Sequence, residues 1–155
     1  MWPAPTPAKM ARPSPSEKLM TTPTRTIVIT GAASGIGAAV ARRLAAPGTN
    51  LLLHTRQNKA GLEAVAAEVE AGGATAALVL GDLADTRTSE AIVAAARSSF
   101  GQVDQIVSNA GKAKLSSFGE MTEAELDHAF SSMPAAFARL VLRALPDLKA
   151  SSWAR

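Results

Sequence analysis

Cysteine and tyrosine are both absent from this 155-residue chain. Without cysteine there is no disulfide, no thiol nucleophile and no thiolate-bound metal; the absence suits any redox compartment and therefore locates nothing. Without tyrosine there is no phenol to act as acid or base. Long apolar runs are missing as well. None approaches the roughly 20 residues that would cross a bilayer, and the first residues carry charges and prolines where a secretory leader needs an apolar stretch. The expectation is a cytoplasmic protein with no membrane partner.

A one-sided charge is also missing once the chain is divided. The net charge is +3 and the pI is about 9.7, but Lys9, Arg12, Lys18 and Arg25 against Glu17 account for the whole excess. Residues 26–155 hold 12 basic and 12 acidic side chains. A neutral body without aromatics set among basic residues offers no footprint for a phosphate backbone, so nucleic acid is not expected as a partner.

What is present is an apolar content of 47% and a mean hydropathy of +0.11, enough for one domain with a real core. Residues 1–24 stand apart, with six of the nine prolines among Ala, Ser and Thr and no apolar period. They read as a disordered or polyproline-like tail, and Met10 and Met20 are alternative starts.

The chain is organised around Thr30-Gly31-Ala32-Ala33-Ser34-Gly35-Ile36-Gly37. It joins the apolar run Ile27-Val28-Ile29 to an amphipathic run from Ile36 and reads as strand, tight turn and helix start. Glycines at this spacing serve three needs: the turn itself, the approach of a pyrophosphate to the backbone, and close packing of helix on strand. The helix N-terminus then offers free N–H groups and a positive dipole end.

From there the segments alternate. Ile36, Val40 and Leu44 share a helix face that ends at Pro47-Gly48; Leu51-Leu52-Leu53 reads as a buried second strand. Leu62, Val65, Ala66 and Val69 define a second helix stopping at Gly72-Gly73, and Ala76 to Leu80 a third strand. A third helix turns Ile92, Ala95 and Ala96 inward and ends near Phe100-Gly101, before a fourth strand from Val103 to Ser108. Thr122-Glu123-Ala124-Glu125 is a capping box. The helix it opens carries Leu126, Ala129, Phe130 and Met133, then Phe137, Leu140, Val141 and Ala144, with Pro134 forcing a kink or a division into two helices. Single helices between strands imply right-handed crossovers and a doubly wound parallel sheet.

Three further clusters sit at strand ends. His54-Thr55-Arg56-Gln57-Asn58 follows the second strand, where an acid would bind a ribose 2′-hydroxyl and an arginine a 2′-phosphate. No acid is there, and Arg56 can pair with a phosphate; NADP(H) is expected over NAD(H). Asp82, in Gly81-Asp82-Leu83 after the third strand, can accept from an adenine amino group. Asn109-Ala110-Gly111 ends the fourth strand, close to where a nicotinamide ribose would lie. Taken together, T-G-x-x-x-G-I-G, an Asp after the third strand and N-A-G after the fourth resemble the short-chain dehydrogenase/reductase family over roughly residues 26–150.

That resemblance implies an incomplete Rossmann-like sheet, order 3-2-1-4, in a partial dinucleotide-binding domain over residues 25–155. The cofactor-binding residues it implies are Thr30, Gly31, Ser34, Gly35, Ile36, Gly37, Arg56, Asp82, Leu83, Asn109, Ala110 and Gly111. Family members reduce a carbonyl or oxidise an alcohol with a tyrosine, a lysine four residues on, a serine and a helix asparagine. Here there is no tyrosine, Ser132 or Met133 falls at the asparagine position, and Ser151-Ser152-Trp153-Ala154-Arg155 resembles the approach to a fifth strand, ahead of where the serine and Y-x-x-x-K would appear. No catalytic residue is assigned. His54 and His128 read as a strand-end and a helix-surface residue, Ser108, Ser116 and Ser117 have no base at a recognisable spacing, and no metal site is indicated.

The expected function is therefore the NADP(H)-binding portion of a carbonyl/alcohol oxidoreductase, inactive alone. A non-catalytic nucleotide-binding or interaction module and a non-functional truncated product stay open as alternatives. A bare Ile106-Val107 strand edge and the apolar stripe of the fourth helix would favour homo-oligomers or other association.

Overall fold

A computed structural model describes residues 24–111 and 117–155. The tail read over residues 1–24 (Thr24 excepted) and Ser116 lie outside the described residues. In chain order the elements are β1 (Arg25–Thr30), α1 (Gly35–Leu44), β2 (Thr49–Thr55), α2 (Lys59–Ala71), β3 (Thr75–Leu80), α3 (Thr86–Phe100), β4 (Gln105–Val107), a 3-10 turn (Phe118–Glu120), α4 (Glu123–Ser132) and α5 (Pro134–Ala150). The four strands form one parallel sheet in the order β3-β2-β1-β4, a Rossmann-like arrangement that agrees with the expected order.

Alternating side chains leave a strand on opposite faces, and both faces are used. Ile27, Ile29, Leu51 and Leu53 meet Ala38 and Ala41 of α1 and Leu62, Val65 and Val69 of α2. Val28 and Leu52 meet Ile92, Val93 and Ala96 of α3 and Leu140 and Ala144 of α5. Because helices cover both sides, β1 and β2 are apolar at consecutive positions, each buried aliphatic side chain contributing about 1.5–3 kcal/mol. Helix α2 buries Leu62, Val65, Ala66 and Val69, the residues read from its period, and Asn58 caps it by accepting from the Gly61 N–H.

Several expectations change. Ile36 does not join the buried face of α1; it is 75% exposed, and Gly37, Ala38 and Ala41 turn inward instead. The first turn of α1 overhangs the end of the sheet, so its apolar residue looks out over the strand ends. The fourth strand is three residues long, not six. Val103 is buried in the core but precedes the ladder, and the N–H groups of Asn109 and Ala110 turn to the Thr30 hydroxyl.

The last helical segment divides at Met133, whose φ of −115° and ψ of −88° fit neither helix, with Pro134 as the first residue of α5. A proline at that position sacrifices an N–H that has no helical partner anyway. The expected apolar stripe divides with it. Ala136, Leu140 and Ala144 are buried, while Leu126, Phe130 and Phe137 are exposed.

The edge of β4 is not bare. The Ile106 N–H donates to the Arg155 carbonyl at 3.1 Å, and the Gln105 side chain donates to the Trp153 carbonyl at 3.0 Å. The segment after α5 is tied down by Asp104, a fully buried carboxylate that accepts from the Thr26 N–H at 2.7 Å, Gln102 Nε2 at 2.7 Å and Ser151 Oγ at 2.5 Å. A buried charge is tolerable because its oxygens are so fully bonded.

Candidate functional site

A cleft of about 1000 Å³ opens over the carboxyl ends of the strands, where open α/β sheets bind ligands. One wall is the glycine turn. Thr30 is fully buried beneath it, and its Oγ1 accepts from the N–H groups of Asn109 and Ala110 at 3.1 and 3.0 Å. Asn109 Nδ2 donates back to the carbonyls of Thr30 and Gly31 at 3.2 and 3.3 Å. The first loop and the loop after β4 are thus laced to one another across the sheet.

That lacing explains two of the glycines. A Cβ on Gly31 would stand 2.9 Å from Ala110 Cα, and one on Gly37 would stand 2.2 Å from the Gly31 carbonyl oxygen. Both distances are forbidden, so these positions are glycine because the backbones touch. Gly35 differs. Its φ is +55°, and a Cβ there would meet nothing within 4 Å. The conformation favours glycine, and the open space lies where the turn enters α1.

Next to it, the Ser34 hydroxyl makes no capping bond to the helix, leaving it available alongside the first-turn N–H groups. A helix start with free N–H groups and an open glycine turn suits a pyrophosphate.

At the other end of this wall, Arg56 Nη1 lies 3.7 Å from Asp82 Oδ2, with the two side chains 45% and 37% exposed. Asp82 Oδ1 accepts from the Ala84 N–H at 2.9 Å, which shapes its loop. His54 is 1% exposed, and its Nε2 lies 2.9 Å from the Gly81 carbonyl. A carbonyl only accepts, so Nε2 carries the proton, and the buried Nδ1 has no partner in the protein. Burial pushes the imidazole below its ordinary pKa, with the Gly81 hydrogen bond and the Asp82 charge opposing.

The facing wall comes from the 3-10 turn's exit and from α4: Met121, Leu126, His128, Ala129, Ser132 and Met133. A Cβ on Gly111 would lie 3.2 Å from Met133 Sδ, so the two walls meet there. Thr122 and Glu125 form the expected capping box.

Of the residues named from sequence, Gly31, Ser34, Ile36, Arg56, Asp82, Leu83, Asn109, Ala110 and Gly111 line the cleft. Thr30 and Gly37 lie buried and shape it from beneath, while Gly35 forms the exposed bend between turn and helix. The sequence reading placed Ser132 and Met133 at the family's asparagine position, but it missed Met121, Leu126, His128 and Ala129 of the α4 wall and the tie from His54 to Gly81. The run Leu51-Leu52-Leu53-His54 did carry a signal for the latter, since it puts the imidazole in a buried strand. No local signal announced the former. Among the described residues no grouping of His, Asp and Glu could hold a metal, and no helix is long and apolar enough to cross a membrane.

The sheet order and the cleft at its carboxyl edge define a Rossmann-like α/β domain. A sequence profile of the short chain dehydrogenase family matches residues 25–155, and the chain belongs to that family. It is 40% identical over 100 residues to an L-rhamnose 1-dehydrogenase (NAD(P)(+)) of Azotobacter vinelandii, covering 63% of this chain and 39% of that protein. It is 39% identical over 87 residues to a 3beta-hydroxysteroid dehydrogenase of Eggerthella lenta, covering 56% and 33%.

Among solved structures, the L-sorbose reductase of Gluconobacter frateurii, complexed with NADPH and L-sorbose, superposes with a TM-score of 0.77 at 31% identity, over 83% of this chain and 49% of that one. A short chain dehydrogenase of Burkholderia cenocepacia in complex with NADP gives 0.76 at 30% identity, over 80% and 51%. The chain thus spans about 39% of the length of the first of these curated relatives and about half of the solved ones.

Proposed function

We propose that residues 25–155 are the NADP(H)-binding portion of an oxidoreductase acting on a carbonyl or alcohol. The observation that carries this reading is the laced turn: Gly31 and Gly37 locked against Asn109 and Ala110, and Gly35 left open beside an uncommitted Ser34. In this reading Ser34, Gly35 and Ile36 offer backbone and hydroxyl to the pyrophosphate, Asp82 and Leu83 flank the adenine, and Asn109-Ala110-Gly111 border the nicotinamide ribose. The bound dinucleotide would supply or accept the hydride.

Preference for the phosphorylated cofactor rests on Arg56. Its acidic neighbour in the cleft, Asp82, is 3.7 Å away and part-exposed, an interaction worth at most about 1 kcal/mol. A 2′-phosphate dianion, offering charge-assisted and bidentate bonds, would displace it. The L-sorbose reductase and the Burkholderia enzyme hold NADPH and NADP, which supports the same choice. The NAD(P)(+) designation of the rhamnose dehydrogenase supports a preference and not exclusivity.

These 155 residues contain no tyrosine, and Met133 and Ser132 present no amide to the cleft. Alone they should bind cofactor without turning over substrate, because the proton donor is not among them and such a donor contributes about 10²- to 10⁴-fold.

Fluorescence titration tests the reading. NADPH should bind more tightly than NADH, and Arg56→Ala should narrow the gap about fivefold. Equal affinities in the parent chain would refute the preference, and brisk NADPH oxidation with a simple ketone would refute the lack of turnover.

A second, narrower reading concerns assembly. Leu126, Phe130 and Phe137 are exposed on neighbouring turns of α4 and α5, an apolar surface that favours a second copy of the chain as partner. A concentration-independent monomer in light scattering would dismiss it, and would leave the cofactor reading intact.

A further inference from the structure

Arg139, on α5, is half-buried and reaches away from its own helix. Its Nη2 donates to the Leu83 carbonyl at 2.9 Å and to the Ser131 carbonyl at 2.5 Å. Its Nε is buried and finds no partner in the protein. As a stabilising device this is poor: a largely desolvated guanidinium bonded to neutral carbonyls and left with an unmade hydrogen bond costs more than a packed aliphatic chain would. The arrangement makes sense for what it connects.

Leu83 belongs to the loop after β3 and lines the cleft beside Asp82. Ser131 lies in the last turn of α4, next to Ser132 and Met133, which line the facing wall. Apart from the contact of Gly111 with Met133, that wall is lightly held in the described structure. Helix α4 has no buried residue and among the described elements packs against α5 alone. The backbone at Met133 belongs to neither helix, and Pro134 has no N–H with which to bond back to Phe130.

We infer that Arg139 is a positioning residue: by tying Leu83 to Ser131 it sets the separation of the two walls of the cleft, and through them the affinity for the dinucleotide. One guanidinium nitrogen holds both carbonyls, so the adenosine-side loop and the hinge of α4 move as one body. The affinity part of this rests on the cofactor reading above. The mechanical part does not, since both carbonyls belong to the chain itself.

The test uses the whole chain with Arg139→Met, which keeps an unbranched stem, and Arg139→Lys, which keeps a donor that can reach two carbonyls. Hydrogen exchange without ligand reads the tie directly. In the Met variant the N–H groups of Ala84 and Asp85 and that of Met133 should all exchange at least about tenfold faster, while β1 and β2 are unchanged. NADPH should bind about tenfold more weakly, with the Lys variant recovering most of the loss.

Acceleration at only one of the two segments, or at neither, overturns the inference, and so does an unchanged NADPH affinity once both segments are loosened. If the parent chain binds no NADPH, the cofactor reading fails and the exchange result alone decides whether Arg139 ties the walls. If the Met variant does not fold, the Lys variant is judged by the same exchange criterion, both segments remaining protected if the tie is real.

Discussion

The two walls of the cleft are held by different means, and the contrast runs through the whole molecule. On the glycine side, three backbone segments meet with no space between them: Gly31 touches Ala110, Gly37 touches the Gly31 carbonyl, and Thr30 and Asn109 exchange hydrogen bonds between the ends of β1 and β4. On the α4 side no residue is buried, Phe130 is 61% exposed, and the helix hangs from a break at Met133. The first wall is rigid because its geometry is over-determined. The second takes its position from a neighbour, and a site made of one wall of each kind has a fixed template and an adjustable cover.

The sharpest way to break this comparison is to put a methyl group into the rigid wall. Gly37→Ala would place a carbon against the Gly31 carbonyl oxygen, a backbone atom with nowhere to go. A loss of about 3 kcal/mol or more is expected in denaturant unfolding. A near-neutral effect would mean that the turn is far softer than its contacts imply.

Asn109→Ala should cost less, about 1–3 kcal/mol, because it removes a donor from the Thr30 and Gly31 carbonyls without inserting anything. Chemical unfolding checks it, and the same variant should weaken NADPH binding by letting the turn relax.

The pH dependence sharpens the contrast further along the same wall. Burial holds the His54 pKa below its ordinary value of 6.5, so the unfolded chain takes up the proton before the folded one. The stability due to His54 is full above about pH 6.5 and declines as the pH falls from there toward the lowered folded-state value. The thermal midpoint should therefore drop between about pH 7 and 5, and His54→Gln, which keeps a donor for the Gly81 carbonyl, should flatten the decline over that range.

The smallest effect is expected on the other wall. Phe130→Ser, on the exposed face of α4, should change stability by less than about 0.5 kcal/mol and reduce self-association if that face meets a second copy. A loss of several kcal/mol would show that α4 is anchored more firmly than its contacts indicate.

The same contrast decides what could be read from the residues alone. Leu62, Val65, Ala66 and Val69 announce helix α2 through their spacing, and all four are buried; the parallel sheet follows from strands joined by single helices, and its order is what the family resemblance implies. These are local or topological rules, and the glycine wall is made of such rules. Ile36 escaped them because helical period does not say how far the first turn overhangs the sheet. The short β4 escaped because Val103 and Ile106 are both apolar, one for the core and one for the ladder. Arg139 escaped altogether, and Met133 was legible only as a stripe residue and at the family's asparagine position, not as a contact of the facing wall. Their importance lies in which distant segments they touch, Leu83 for one and Gly111 for the other, and nothing in the neighbouring sequence encodes that. The covered edge of β4 is the same kind of fact, depending on Arg155 returning to Ile106 from 49 positions away in the chain.

The most direct measurement is hydrogen exchange of the chain with and without saturating NADPH, followed amide by amide. A dinucleotide seated on the rigid wall should protect the N–H groups of Ser34, Gly35 and Ile36 and those around Asp82 and Leu83 most strongly, with a weaker effect spreading into α4. Protection confined to α4, or no protection at the glycine turn while NADPH is demonstrably bound, would contradict the account and place the cofactor somewhere other than the template these residues build.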